Sequence, residues 1–296
     1  MTWLQMTLHS HPDQVESISD ALTEIGALSV TCADDGDDPV YEPALNTTPL
    51  WRETRVTGLF VQDDVDQDEL PTQLAAQLAP LPLPRYEFSV LEDQEWTRVW
   101  MADFKPMCFG ERLWIYPSWQ EVTDSETIYL LLDPGLAFGT GTHPTTALCL
   151  TWLATWPELA GKTLIDYGSG SGILAIGAVK LGAAKVWAVD NDPQALLATR
   201  DNAEKNQVSD AIETVFPEQL PALQVDGIVA NILATPLIAL AASFASKINA
   251  GGFIVLSGIL IDQADAVISA YSPYFTMHPP IVQGDWVRID GIRKLA

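Results

Sequence analysis

Over the first 92 positions the apolar residues switch between two repeats, period two in some stretches and period 3.6 in others. Residues 2–8 (TWLQMTL) alternate and predict a strand. Residues 12–25 open on Pro12, which suits a first helical turn, and set Val15, Ile18, Ala21, Leu22 and Ile25 on one helical face. Residues 28–33 and 54–62 read as strands, and 85–91 as another. Between the last two, residues 68–79 read as a helix, with Pro71 confining the helical part to its C-terminal side. The order β-α-β-β-α-β predicts a ferredoxin-like α+β domain. Residues 34–50, rich in Asp and Pro, read as an exposed loop.

Residues 93–104 (DQEWTRVWMADF) predict a short linker helix that Pro106 ends, with Trp96, Trp100 and Phe104 at i, i+4 and i+8. From 161 to 256 the pattern alternates strand and helix: KTLIDY, a glycine turn, ILAIGAVKLG, KVWAVD, PQALLATRDNAEKN, GIVAN, a further helix, and GFIVLSG. Such alternation predicts a parallel sheet with helices on both faces, an α/β doubly wound plan. The expected domains are therefore 1–92, a linker at 93–106, and 107–296. The uncharged run Gly227–Ser246 is long enough to raise a membrane span, but Asn231, Pro236 and small polar residues interrupt it, so it reads as a buried strand and a helix.

Composition narrows the function. The 296 residues are 48% hydrophobic and 18% charged, a globular balance that excludes global disorder. Fifteen basic against 39 acidic residues give a net charge of −24, which disfavours nucleic acid as a primary partner. Residues 1–95 carry 3 basic and 19 acidic residues, a net −16, against 12 and 20, a net −8, in the remainder. That asymmetry reads either as solubility in a salty environment or as steering of a basic protein partner. Cys32, Cys108 and Cys149 are odd in number and show no CxxC spacing, so neither a disulfide framework nor a zinc site is expected and a reducing cytoplasm fits. The first residues, Met1-Thr2-Trp3-Leu4-Gln5, have neither a basic nor an apolar signal region, so no secretory signal is expected.

The candidate chemistry begins at Asp166-Tyr167-Gly168-Ser169-Gly170-Ser171-Gly172, between an apolar run and a helical run, where a doubly wound fold opens its ligand crevice. The dinucleotide fingerprint G-x-G-x-x-G would require glycine where Ile173 stands, and no Gly-Lys-Ser/Thr follows for a P-loop. The pattern D-x-G-x-G-x-G suits a cofactor without phosphates, its amino-acid carboxylate and ammonium meeting loop amides and an acidic group. Asp190, 18 residues after Gly172, is placed to accept both hydroxyls of a ribose or, alternatively, to cap the helix at Pro193, for which Asp192 is the better candidate. Asn231 ends the fourth strand, either as a turn former or as an acceptor for an amine N–H. In the unusual loop from Asp133 to Thr146, Thr145 or Thr142 could cap the following helix and His143 could be structural, or Thr146 and Phe138 could touch the cofactor. The four histidines form no metal spacing and no nucleophile elbow is present, so metal and acyl-transfer chemistry are not expected.

Taken together, EWTRVWMADFKP, LWIYPSW, DPGLAFGTGTHPTT, DYGSGSGILAIGAVKLGA, VDNDPQAL, DNAEKN and ANILA resemble the PrmA family, S-adenosylmethionine-dependent methyltransferases that modify the eleventh protein of the large ribosomal subunit. The resemblance covers residues 93–296 most strongly. It implies a class I methyltransferase (Rossmann-like) domain, S-adenosyl-L-methionine as cofactor, and methylation of lysine side-chain and N-terminal amines of a basic ribosomal protein held by the first domain. Cofactor contacts carry over to Thr146, Gly168, Asp190 and Asn231, with Gly170, Phe138 and His143 in the same pocket and Asn231 in the catalytic role. Many amino-methylating enzymes have Asn-Pro-Pro-aromatic where this chain has Asn231-Ile232-Leu233-Ala234, a variant the family also shows. A cytoplasmic monomer is expected, with no membrane and no direct nucleic-acid contact. The alternatives are a methyltransferase for another protein or a small molecule, and a non-catalytic ribosome-assembly factor that binds the cofactor.

Overall fold

The computed structural model describes residues 2–36, 49–92, 105–120, 122, 127–133 and 143–295, and its contacts divide the chain into two compact units, Met1–Ala102 and Asp103–Ala296. The linker helix expected at 93–104 lies outside the described residues.

The first unit runs β1 (Thr2–Ser10), α1 (Val15–Glu24), β2 (Ser29–Asp34), β3 (Thr54–Val61), α2 (Leu70–Leu78) and β4 (Tyr86–Glu92). Its sheet has the order β2-β3-β1-β4 and is antiparallel throughout, the ferredoxin-like arrangement. Period two puts Leu4, Met6 and Leu8 of β1 on the buried face, and period 3.6 brings Ile18 and Leu22 of α1 and Leu70, Leu74 and Leu78 of α2 against them. Pro71 sits in the first turn of α2, where its missing N–H costs no helical hydrogen bond.

The second unit opens with a small sheet of β5 (Met107–Phe109), β6 (Leu113–Tyr116) and β7 (Ile128–Leu131). Then come α3 (Pro144–Thr155), β8 (Thr163–Tyr167), α4 (Ile173–Lys180), β9 (Lys185–Val189), α5 (Pro193–Lys205), β10 (Ile212–Val215), β11 (Val225–Asn231), α6 (Ala234–Lys247), β12 (Ile248–Leu260), α7 (Ala264–Tyr271), β13 (Phe275–Met277), β14 (Ile281–Gln283) and β15 (Trp286–Arg293). The main sheet has the order β10-β9-β8-β11-β12-β15-β13, with β14 also on β15. The first five strands are parallel as expected, whereas β15 is antiparallel to β12, β13 and β14, so the sheet is mixed. One core packs α3 and α4 on one face of this sheet, and a second packs α6 and α7 on the other. Gly227–Ser246 is indeed strand β11 followed by α6. Among the described residues no helix is long and apolar enough to cross a membrane.

The chain leaves β8 toward β9 on one side and β11 toward β12 on the other, although β8 and β11 are neighbours. A doubly wound sheet splits at such a switch point, and the crevice opens at the carboxyl ends of the strands.

Candidate functional site

The turn from β8 into α4 gives Gly168, Gly170 and Gly172 φ values of 82°, 53° and 79°, a left-handed region that side chains disfavour. At two of them protein atoms, and not a ligand, fill the space a side chain would need. A Cβ on Gly168 would lie 2.2 Å from Ile232 Cγ2, and one on Gly172 would lie 2.8 Å from Thr199 Cγ2.

Helix α5 holds this loop by its carbonyls. Thr199, fully buried, donates its hydroxyl to Gly170 O at 3.1 Å and stands 3.2 Å from Ser169 Oγ. Asn202, one turn on, donates from Nδ2 to Ser171 O at 2.8 Å. The sequence reading missed both residues. Their signal is faint but present: Thr199 is a polar residue inside the buried stripe Ala195, Leu196, Thr199, Ala203.

Asp190 follows β9 and closes the loop from the other side. Its Oδ2 accepts from Gly170 N–H at 2.9 Å and its Oδ1 from Asp192 N–H at 3.0 Å. Each carboxylate oxygen accepts two hydrogen bonds, so both retain capacity toward the crevice. Asp192, and not Asp190, caps α5, accepting from Gln194 N–H at 2.8 Å.

Asp166, the last residue but one of β8, is 2% exposed. Its Oδ2 accepts from Ala175 N–H at 3.0 Å, while its Oδ1 is buried without a partner. Burial pushes its carboxyl up to about 7; the Ala175 amide opposes this and the charge on Asp190 adds to it.

The two predicted residues from distant segments meet here. Asn231 donates from Nδ2 to the hydroxyl of buried Thr146 at 3.2 Å, across 85 positions of chain. With Nδ2 engaged, Oδ1 is left as the acceptor. Thr146, Gly168, Gly170, Asp190 and Asn231 all line one crevice with Ser169, Ile173, Leu174, Asn191 and Ile232. Among the described residues its cavity volume is about 210 Å³, below the ~300–1,000 Å³ usual for small-molecule sites.

His143 is not among these lining residues. It is the N-cap of α3, its Nδ1 accepting from Thr145 N–H at 3.4 Å and lying 2.7 Å from Thr145 Oγ1, with its ring edge-on to Trp286 at 5.0 Å. The cap expected from Thr145 or Thr142 thus comes from the imidazole, which burial makes less basic than usual. Phe138 lies outside the described residues.

No described lining residue is Lys or Arg, so no described side chain there supplies a positive charge for a phosphate. A nucleoside without phosphates fits better, because Asp190 lines the crevice and can take ribose hydroxyls. Among the described residues no group of acidic, His or Cys side chains could hold a metal.

Comparison with known proteins agrees in kind. Residues 2–294 match the family described as Ribosomal protein L11 methyltransferase (PrmA). A protein of Pseudomonas putida (strain W619) called Ribosomal protein L11 methyltransferase is 49% identical over 295 residues, 99% of this chain and 100% of its own. One of Pseudomonas aeruginosa (strain LESB58) with the same name is 50% identical over 298 residues, 99% of each chain. The crystal structure of ribosomal protein L11 methylase from Lactobacillus delbrueckii subsp. bulgaricus superposes with a TM-score of 0.59 at 32% identity, covering 65% of this chain and 100% of that one.

Proposed function

The chain belongs to the PrmA family of ribosomal protein L11 methyltransferases, and from that premise we propose that it methylates lysine side-chain amines and the N-terminal amine of ribosomal protein L11, using S-adenosyl-L-methionine. The observation that carries the reading is the Asn231–Thr146 hydrogen bond, which engages Nδ2 and leaves the amide oxygen of Asn231 as the acceptor in a crevice also lined by the glycine loop and Asp190.

When bound, S-adenosyl-L-methionine supplies a methyl group on a positively charged sulfur, an electrophile that needs little further activation. The chain's residues then have two tasks, holding and aiming. Asp190 would accept the ribose hydroxyls, and the backbone at Gly168 and Gly170 would border the cofactor. The family resemblance alone assigns Phe138 to the cofactor. Asn231 Oδ1 accepts an N–H of the incoming amine and turns its lone pair toward the methyl group. A lysine amine has a pKa of ~10.4, so it loses a proton before it attacks, and the open mouth of the crevice lets water carry that proton away.

Residues 1–92 are assigned to substrate capture, 93–106 to the linker and 107–296 to catalysis. The concentration of negative charge in residues 1–95, net −16, supports capture of a basic protein. A ribosomal substrate supports a cytoplasmic site of action, and the overall acidity supports a monomer that does not itself bind nucleic acid. The test is Asn231→Ala: methyl incorporation into L11 falls by about 100-fold or more while calorimetric cofactor affinity changes far less. Full turnover in that variant would remove Asn231 from the catalytic role.

A further inference from the structure

One residue between the two halves of the site touches both. Ile232 follows Asn231, which pairs with Ser257 of β12, and the next residue on β12 is Gly258 at φ 84°. A Cβ on Gly258 would lie 2.4 Å from Ile232 O and 2.8 Å from Ile232 C. On its other side Ile232 puts Cγ2 in the place of the Cβ that Gly168 lacks. The backbone of Ile232 is thus seated on β12 and its side chain on the cofactor loop, each through a left-handed glycine. It is partly buried against the second core while bordering the crevice.

We infer that Ile232 is a positioning residue for methyl transfer, its branched methyl setting the spacing between the glycine loop and the Asn231 amide. The inference rests on the methyltransferase reading above. A β-branched side chain is restricted at χ1, so Cγ2 transmits the position of the Asn231–Ile232 backbone to Gly168 with little slack. Leucine has the same volume, but its branch lies one carbon further out and leaves the position over Gly168 empty. Valine is smaller, yet keeps both methyls on Cβ.

The experiment compares Ile232→Val, Ile232→Leu and Ile232→Ala for kcat and KM with L11, calorimetric cofactor Kd, thermal midpoint, and the NMR resonances of the Asn231 side-chain amide. If Ile232 positions, kcat falls about tenfold or more in the Leu and Ala variants and least in Val, because sub-ångström misplacement is costly in transfer reactions. The cofactor Kd moves much less than kcat, and the Asn231 resonances shift in Leu but stay near wild type in Val. Gly258→Ala, which pushes on Ile232 O, lowers kcat in the same way. A generic core role predicts the opposite order, with Leu best, and that order would overturn the inference. Should the wild-type protein fail to methylate L11, the reading of function fails separately, and the Asn231 resonances still decide: a shift in Val with none in Leu would exclude the positioning role.

Discussion

Thr199→Val removes one hydroxyl from beneath the glycine loop and changes almost nothing else. Thr199 is fully buried, and valine keeps a methyl against Gly172, where Cγ2 now packs. What is lost is the 3.1 Å hydrogen bond to Gly170 O and the 3.2 Å contact with Ser169 Oγ. A hydrogen bond contributes about 0.5–1.5 kcal/mol net, and a fully buried orphaned acceptor would cost about 1–3 kcal/mol more. Gly170 is half-buried, so water can reach its carbonyl and the lower end applies, about 1 kcal/mol. For a unit of this size that lowers Tm by roughly 2–4 °C. The N–H of the same Gly170 holds Asp190, so a displaced loop also misplaces the proposed ribose acceptor, and cofactor Kd rises by about threefold to tenfold. Calorimetric titration with S-adenosyl-L-methionine and with its demethylated product measures this directly. Thr199→Ser is the counterpart: it keeps the hydroxyl and loses a methyl worth about 0.8 kcal/mol, so it costs stability with little change in Kd. If the Val variant binds as tightly as wild type while the Ser variant binds weakly, packing and not the hydrogen bond holds the loop, and the reasoning is refuted.

Three further outcomes follow from the same structure. Asp166 keeps its proton up to about pH 7 when folded but only to ~3.9 when unfolded, so its contribution to stability is present at low pH and lost as pH rises from about 4 to 7, by at most about 4 kcal/mol; denaturant midpoints should show Asp166→Asn gaining on wild type over that window, and a pH-independent difference would exclude the shift. In Asp190→Asn one of the two backbone donors, Gly170 or Asp192, faces an amide NH2 instead of an acceptor, which loosens cofactor binding by roughly tenfold to 100-fold; calorimetry showing no loss would release Asp190 from its role. Capture of L11 by an acidic first domain should slow in stopped-flow mixing as salt rises from 0.05 to about 1 M, where the screening length shrinks to about 3 Å, and a salt-independent on-rate would leave hydrophobic recognition in its place.

Much of this fold is legible in the chain because its core strands obey simple patterns. GIVAN and FIVL are continuous apolar runs because β11 and β12 are covered on both faces, and the first domain follows from where periods two and 3.6 exchange. The far edge of the sheet does not read this way. On β15 the face toward α3 carries Arg288 and Asp290, which pair at 3.0 Å, with Asp290 also 2.7 Å from His278 Nδ1 and Arg288 Nη1 reaching Leu148 O at 3.5 Å. Val287-Arg288-Ile289-Asp290 alternates apolar and polar as a strand does, but alternation does not encode direction, and so the antiparallel edge is hidden. The strands β5 to β7, three or four residues each, are too short for any repeat to declare itself. At the site, Gly168, Asp190 and Asn231 stand out because strand ends and glycine runs are rare landmarks. Thr199 and Asn202 do not, since polar residues on a helix ordinarily face water. His143 was obscured as a cap because imidazole is not among the usual N-cap side chains.

The central claim, an amide-aimed methyl transfer to a ribosomal protein, is tested most directly by intact-mass measurement of unmodified L11 after incubation with this protein and S-adenosyl-L-methionine, with Asn231→Ala in parallel. A ladder of single-methyl increments, lost in the variant although it still binds cofactor, is the predicted result. An unchanged mass with wild-type protein that demonstrably binds the cofactor, or the same ladder from both proteins, would contradict the account.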